Sequence, residues 1–342
     1  MYRNFFISIL CLIGLTFTNF PTYASILQNI KKRGFLKCGI NTGLTGFSEI
    51  QANGDWKGFD VDFCKALSAA IFDDSSKVQY LPLNAKERFI SLQSKQIDIL
   101  SRNTDWTLLR ETKLGLAFRP ITYFDGQGLM MYKKSGVSSA LQLSDASICV
   151  QAGTTTEKTL ADYFKAHNMK YHPIVFERVE EIDAAYRSHR CDVYTGDKSA
   201  LYALRLSTDN PNEHVILKDI ISKSPLGPAI LQGDSEWSNI VSWTHYALVN
   251  AEELGITQSN VDQKRLTTND PDMKRFLGID KSANIGESLG LSKDWAYQII
   301  KHMGNYGEIF DRNLGSQSAL KIPREYNALW SKGGIMYAPP IR

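Results

Sequence analysis

Residues 97–110, Ile-Asp-Ile-Leu-Ser-Arg-Asn-Thr-Asp-Trp-Thr-Leu-Leu-Arg, decide how the rest of the chain is read. The apolar run of Ile97, Ile99 and Leu100 has the character of a short buried strand, and a polar turn follows it. A helix opens near Thr107 and carries Arg110 in its first turn. A cation gains nothing there from the helix macrodipole, which favours anions at that end. Arg110 is therefore either a surface arginine pairing with Asp105 or Glu111, or it is aimed back at an anion over the end of the strand. Ligands of open α/β sheets sit over strand ends, and a guanidinium matches a carboxylate with two parallel bonds.

Working outward, helix and strand patterns alternate. Residues 25–34 read as a helix closed by Gly34, Phe35–Ile40 as a strand, Phe59–Phe72 as a helix and Val78–Leu81 as a strand; Ala85–Gln93 reads as a further helix. This rhythm predicts α/β architecture with mostly parallel sheets. Ser94-Lys-Gln-Ile-Asp-Ile-Leu is echoed by Ser188-His-Arg-Cys-Asp-Val-Tyr, each copy after a helix and at the start of a strand. The echo is either chance similarity of two α/β turns or the mark of two similarly built lobes. Strands at Leu129–Tyr132 and Ser147–Gln151 lie between the copies. Two lobes then need a crossing near Tyr123–Met131 and a return near Ile220–Ala229, where Pro225, Gly227 and Pro228 punctuate the chain. Beyond about Ser235 the pattern turns helical, with an apolar stripe through Ile240, Val241, Trp243, Thr244, Ala247 and Leu248, and Trp237 and Trp243 read as packing residues.

The start, Met-Tyr-Arg-Asn followed by an apolar run from Phe5 to Phe20 and then Pro-Thr-Tyr-Ala, reads as a secretory signal cleaved after Ala24. Removing Cys11 with it leaves four of the five cysteines. An even number in an exported chain points to disulfides. Pairing Cys38 with Cys64 and Cys149 with Cys191 keeps each bridge within one lobe. Zinc is the weaker reading, because no pair has Cys-x-x-Cys spacing and no histidines cluster nearby. The formal charge of +3 over 342 residues is mild, and no basic run or aromatic-basic interleaving suggests a nucleic acid.

Two further stretches carry chemistry. In Cys149-Val-Gln-Ala-Gly-Thr-Thr-Thr-Glu a strand ends, Gly153 permits a tight turn and a helix begins with a capping-box pattern, Thr154-x-x-Glu157. Such a terminus binds anions through free N–H groups, or is simply well capped. In Thr195-Gly-Asp197 another strand stops; Asp197 either caps the helix that follows or faces a cleft and holds an ammonium group. Taken together, Arg110, the terminus at Thr155 and Asp197 describe a receptor for a zwitterion.

The chain resembles the amino-acid-binding periplasmic proteins of ABC transporters, and most closely the general L-amino-acid-binding subgroup. The resemblance rests on Gly-Phe-Asp-Val-Asp-Phe-Cys (58–64), Ala-Lys-Glu-Arg-Phe (85–89), Arg-Asn-Thr-x-Trp-Thr (102–107), Gln-x-Gly-Thr-Thr-Thr-Glu (151–157), Ile-Ser-Lys-x-Pro-Leu-Gly-Pro (221–228), Asn-Tyr-Gly-Glu-Ile-Phe (305–310) and the C-terminal Leu-Trp-x-x-Gly-Gly-x-Met-Tyr-Ala-Pro-Pro-Ile-Arg. It implies a two-lobed periplasmic-binding-protein fold of type II, with a hinge of two crossing segments and a helical C-terminal extension. The signal would span 1–24, the first lobe 25–125, the second 126–225, and 226–342 would return to the first lobe. It implies a monomer in the periplasm that captures free L-amino acids with broad specificity, without cofactor or metal, and delivers them to the permease subunits of an ABC transporter.

Residue by residue, the resemblance assigns the α-carboxylate to Arg110, aided by groups around Asn103, Thr154 and Thr155, and the α-amine to Asp197. Asp105 departs from the pattern, which places Ser or Thr there; its carboxylate would repel a bound carboxylate unless Arg102 or Arg110 pairs with it. Leu44 and Ala85 replace aromatics that grip side chains in narrower relatives, and Phe47 is either an apolar wall or core. The competing class is an enzyme on the same fold, a dehydratase or lyase acting on an amino-acid-like substrate. Against it, the chain lacks the Gly-x-Ser-x-Gly, His-Glu-x-x-His and phosphate-loop signatures, Gly126-Gln-Gly128 lacks the third glycine of a dinucleotide loop, and a cleft acid such as Glu49 has no evident paired base. A sensor or adhesion ectodomain is weaker still, since no membrane span follows the signal.

Overall fold

Local caps set the first elements. Ser25 accepts from the Gln28 N–H and Gly34, at φ 84°, closes the helix Ile26–Arg33. The computed structural model describes residues 25–280, 282 and 284–342; the expected signal peptide lies outside them. No helix among the described residues is long and apolar enough to cross a membrane.

Two sheets organise the chain. In the first, the strands Val78–Leu83, Leu36–Asn41, Ile99–Leu100, Ala229–Leu231 and Leu116–Phe118 lie side by side in that order. In the second the order is His214–Ile216, Tyr123–Tyr132, Val193–Asp197, Ser147–Gln151 and His172–Phe176. Three strands of each sheet are parallel, and in each they lie in the order second, first, third along the chain. The echo at Ser94 and Ser188 is therefore structural. Lys95 and His189 occupy the same place in it, and both take a left-handed turn, at φ 60° and 56°. The hydrogen bonds repeat too: Lys95 N–H donates to the Leu92 carbonyl and His189 N–H to that of Tyr186, then Gln96 N–H to Ser91 and Arg190 N–H to Ala185.

The expectation of mostly parallel sheets needs correction. Ala229–Leu231 is antiparallel to both its neighbours, and Tyr123–Tyr132 is antiparallel to Val193–Asp197 and to His214–Ile216. The reason is topological: the fourth strand of each sheet comes with a chain that has crossed from the other lobe, so no crossover helix turns it parallel. The crossings run side by side, with Tyr123 opposite Leu226 and Gly126 opposite Lys223.

The C-terminal third packs on the first lobe. Its long helix Ser235–Glu253 and the helix Trp295–Met303 cover Phe59–Phe72. Trp237 is fully buried and its indole N–H donates to the Asp98 carbonyl at 3.1 Å. Trp243 is half-buried, edge-on to Tyr246. The same region reaches the first crossing strand, where Asn327 pairs with both backbone groups of Phe124, at 2.7 and 3.0 Å.

Disulfides join Cys38 to Cys64, across 26 residues, and Cys149 to Cys191, across 42. One ties the first strand to the helix Phe59–Phe72, and the other ties Ser147–Gln151 to the turn before Val193–Asp197. Loop closure over such spans stabilises by about 3–4 kcal/mol each. Replacing either pair by alanine should lower the free energy of urea unfolding by about that amount. A variant that unfolds at the wild-type midpoint would show that the bridge adds nothing.

Candidate functional site

The loops that leave the C-terminal ends of the parallel strands in both sheets converge on one cavity between the lobes. Asn41, Leu44, Arg88, Arg102, Asn103 and Asp105 line it from the first lobe; Gln151, Thr154–Thr156, Tyr194–Asp197, Ala200 and Leu204 line it from the second. This is where open α/β sheets bind ligands.

Asn103 sits at φ 24°, an uncommon conformation for a residue with a side chain. Its N–H donates to Asp60 at 2.8 Å, its side-chain oxygen accepts from Asn41 at 2.9 Å, and its amide reaches the Asp197 carboxylate of the other lobe at 3.4 Å. The three contacts hold the turn and aim it across the cleft. Burial pushes the Asp60 carboxyl up to about 7, against the Asn103 N–H and the nearby Arg102 charge.

Gly153 takes the left-handed turn at φ 73° that ends the strand Ser147–Gln151. Thr154 caps the helix Thr155–Ala166, its hydroxyl accepting from the Glu157 N–H at 3.3 Å and donating to the Gln151 carbonyl at 2.7 Å. The Glu157 carboxylate reaches one residue beyond a capping box, to the Gly153 N–H at 2.9 Å. Thr155 projects across the cleft, and its hydroxyl donates to Asp105.

Asp197 stands at the N-cap of the helix Lys198–Ser207, yet its side chain makes no capping bond. Asp125 takes that task, accepting from the Ser199 N–H and hydroxyl. Asp197 is thus free to face the cavity, where its Oδ1 is buried without a partner. Burial, then the charges of Asp105 and Asp125, push its carboxyl well above the usual range.

Arg110 is buried, but it lies behind Asp105 and not on the cavity wall. Its Nη1 donates to the Asp105 carbonyl at 2.8 Å and lies 3.8 Å from the Asp105 carboxylate. Asp105 is the partner that the sequence offered as the alternative to a ligand. Its other oxygen, Oδ1, is buried and unpartnered.

Sequence reasoning assigned no role to Arg88 and offered Arg102 only as a partner for Asp105, which pairs with Arg110 instead; both Arg88 and Arg102 are enclosed and both are on the cavity wall. Arg102 donates through Nε to the Leu83 carbonyl at 2.8 Å, and Asp60 offsets its charge; burial still pushes it down to about 10. Arg88 has no carboxylate within 4.0 Å among the described residues, only a 3.4 Å contact to the Thr104 hydroxyl, and its Nε has no partner. Burial, then Arg102 and Arg110, push its guanidinium well below the usual value. The signal that could have found Arg88 is Ala-Lys-Glu-Arg-Phe (85–89), one of the stretches that carry the family resemblance.

Leu44 lines the cavity. Phe47 does not: it is core, edge-on to Phe59 and Tyr123 at 6.2 and 5.7 Å, because its turn packs under the helix Phe59–Phe72. Ala85 is buried away from the wall, and Glu49 is paired with Lys57 at 3.8 Å outside the cleft.

Bacterial extracellular solute-binding proteins, family 3, match residues 36–312. A general L-amino acid-binding periplasmic protein, AapJ, of Rhizobium johnstonii is 61% identical over 93% of both chains. A glutamate/glutamine/aspartate/asparagine-binding protein, BztA, of Rhodobacter capsulatus is 47% identical over 93% of this chain and 94% of its own. The solved structure of an ABC transporter / periplasmic binding protein from Brucella ovis, with glutathione bound, superposes with a TM-score of 0.92 at 56% identity, covering 94% of this chain and all of that one.

Proposed function

The chain belongs to family 3 of the bacterial extracellular solute-binding proteins, and from that premise we propose that it captures free L-amino acids in the periplasm, as a monomer, and releases them unchanged to the permease of an ABC transporter. One observation carries the reading. Three buried polar atoms without partners line the same cavity, two anionic (Asp197 Oδ1 and Asp105 Oδ1) and one cationic (Arg88 Nε). Buried polar groups are normally satisfied. A cavity that leaves groups of both signs unsatisfied is complementary to a zwitterion.

In this reading Asp197 takes the ammonium group. The carboxylate goes to the arginine corner, where Arg88 is on the wall and Arg110 stands behind Asp105, which also accepts from the Thr155 hydroxyl, while the Asn103 amide lies toward Asp197. Thr154 holds the helix terminus in place. Leu44, Ala200 and Leu204 form an apolar side that suits varied side chains without gripping one of them. Names of relatives support the ligand class: one is a general L-amino acid-binding protein and another binds glutamate, glutamine, aspartate and asparagine.

Titration calorimetry over a panel of small, large, polar and apolar amino acids tests this, with mass analysis of the recovered ligand to show that it is unchanged. Failure to bind any of them, or recovery of a product, overturns the reading. A solute that touches both lobes favours their closed arrangement by differential contact. Saturation with a confirmed ligand should therefore reduce the radius of gyration in small-angle scattering. An unchanged radius counts against closure on the paired crossing strands Tyr123–Gly126 and Lys223–Leu226.

A further inference from the structure

A clamp for an amino acid needs one carboxylate, for the ammonium group, and this cavity has two. Asp197 is the first. Asp105 enters the same cavity from the opposite lobe, and its surroundings differ. Its Oδ2 accepts from Thr155, the first residue of the helix Thr155–Ala166, and the Arg110 guanidinium stands 3.8 Å away. A guanidinium and a hydroxyl at a helix terminus are what a solute carboxylate would use. Asp105 occupies that place from within the chain.

We propose that Asp105 is the residue that sets the charge selectivity of the cleft. It supplies the carboxylate that Arg110 and Thr155 would otherwise take from the solute, so the solute's α-carboxylate is left to Arg88, and a second carboxylate on the solute is disfavoured. The inference rests on the amino-acid reading above.

The charges around the cavity support it. Arg88, Arg102 and Arg110 stand near Asp60, Asp105, Asp125 and Asp197, so buried groups of both signs surround the solute and the arginines carry no excess of charge over the carboxylates. A zwitterion leaves that balance unchanged, whereas an acidic amino acid adds an uncompensated negative charge. Removing the Asp105 charge makes the site more positive by one charge, which an acidic side chain can meet. At separations of about 6–12 Å and an effective dielectric near 20, one charge changes affinity roughly 10- to 100-fold. A change in packing alone would not do this, because glutamine and glutamate have nearly the same shape.

The test compares glutamine with glutamate, and asparagine with aspartate, by titration calorimetry on the full mature chain, in wild type, Asp105→Asn and Asp105→Thr. Wild type should bind each amide more tightly than its acid. In both variants the amide-to-acid ratio of affinities should fall roughly 10- to 100-fold. Asp105→Asn keeps the size of the side chain, so it answers the question even where Asp105→Thr unfolds, and a wild type that prefers the acids overturns the inference without any variant. If wild type binds these solutes but the ratio stays within threefold in a folded variant, Asp105 does not set selectivity and the amino-acid reading survives. If wild type binds none of the four nor any other amino acid of the panel, both readings fall together.

Discussion

Asp197→Ala should lower affinity for every amino acid the protein binds by roughly 30- to 5000-fold. That is the range for truncating one member of a buried, hydrogen-bonded charge pair, about 2–5 kcal/mol. Without the carboxylate the solute's ammonium group is enclosed with nothing to neutralise it, and the Asn103 amide also loses its partner across the cleft. The loss should be nearly equal for small, large, polar and apolar solutes, because the carboxylate touches only what all amino acids share. A pH signature should accompany it. In the empty cleft, burial and the Asp105 and Asp125 charges hold the Asp197 carboxyl well above its usual range, so it keeps its proton into less acidic solution than an exposed aspartate would. A bound ammonium group favours the ionised form and expels that proton. Affinity should therefore rise with pH while empty Asp197 is losing its proton, and level off once it is ionised. Calorimetry in two buffers of different ionisation heat should detect a proton released by wild type and none by Asp197→Asn. A variant within threefold of wild type across the panel means that Asp197 is no ammonium site.

Arg88→Met should cost a comparable factor, about 30- to 5000-fold, again across the whole panel. Methionine keeps the apolar stem but not the charge. Burial and two neighbouring arginines disfavour the Arg88 charge, and Asp105 and Asp197 offset this only in part, since no carboxylate lies within 4.0 Å of it among the described residues. A solute carboxylate beside Arg88 would supply the closer partner. Arg88→Lys should recover only part of the loss, since an ammonium group cannot reproduce the paired bonds of a guanidinium. Arg110→Met acts first on Asp105, leaving that carboxylate enclosed without its cation, and should lower the melting temperature while affecting affinity less than Arg88→Met does. Wild-type affinity in Arg88→Met combined with abolished binding in a stable Arg110→Met would reverse the assignment of the two arginines.

Much of the fold follows from patterns that act over a few residues. Capping by Ser25 and Gly34, the turn at Gly153 with Thr154 behind it, and the repeated Ser94 and Ser188 turns are each decided by local sterics and hydrogen bonds. They can be read from the chain because the residues that make them are neighbours in it. The second-first-third order of parallel strands follows from the repeat, and the positions of Pro225, Gly227 and Pro228 marked the return crossing. The antiparallel fourth strands were not legible in the same way. Apolar runs such as Leu129-Met-Met-Tyr look alike in either direction, and the direction depends on which lobe the chain enters from.

The site divides along the same line. Sequence alone singled out the stretches that end at Arg110, Thr155 and Asp197, because strand ends followed by polar turns and helix caps are local events. It could not decide what those side chains meet. Thr155 and Asp105 are 50 residues apart and Asn103 and Asp197 are 94 apart; only the packing of one lobe on the other brings them together. Arg88, in the helix Glu87–Gln93, looks in sequence like any charged residue on a solvated face, and only the tertiary structure encloses it. Phe47 reads equally as a ligand wall or as core, and only its packing against the helix Phe59–Phe72 decides for core. The chain by itself determined which elements form and where their polar ends lie; the closure of two lobes decided which of those charges neutralise each other and which remain for a solute.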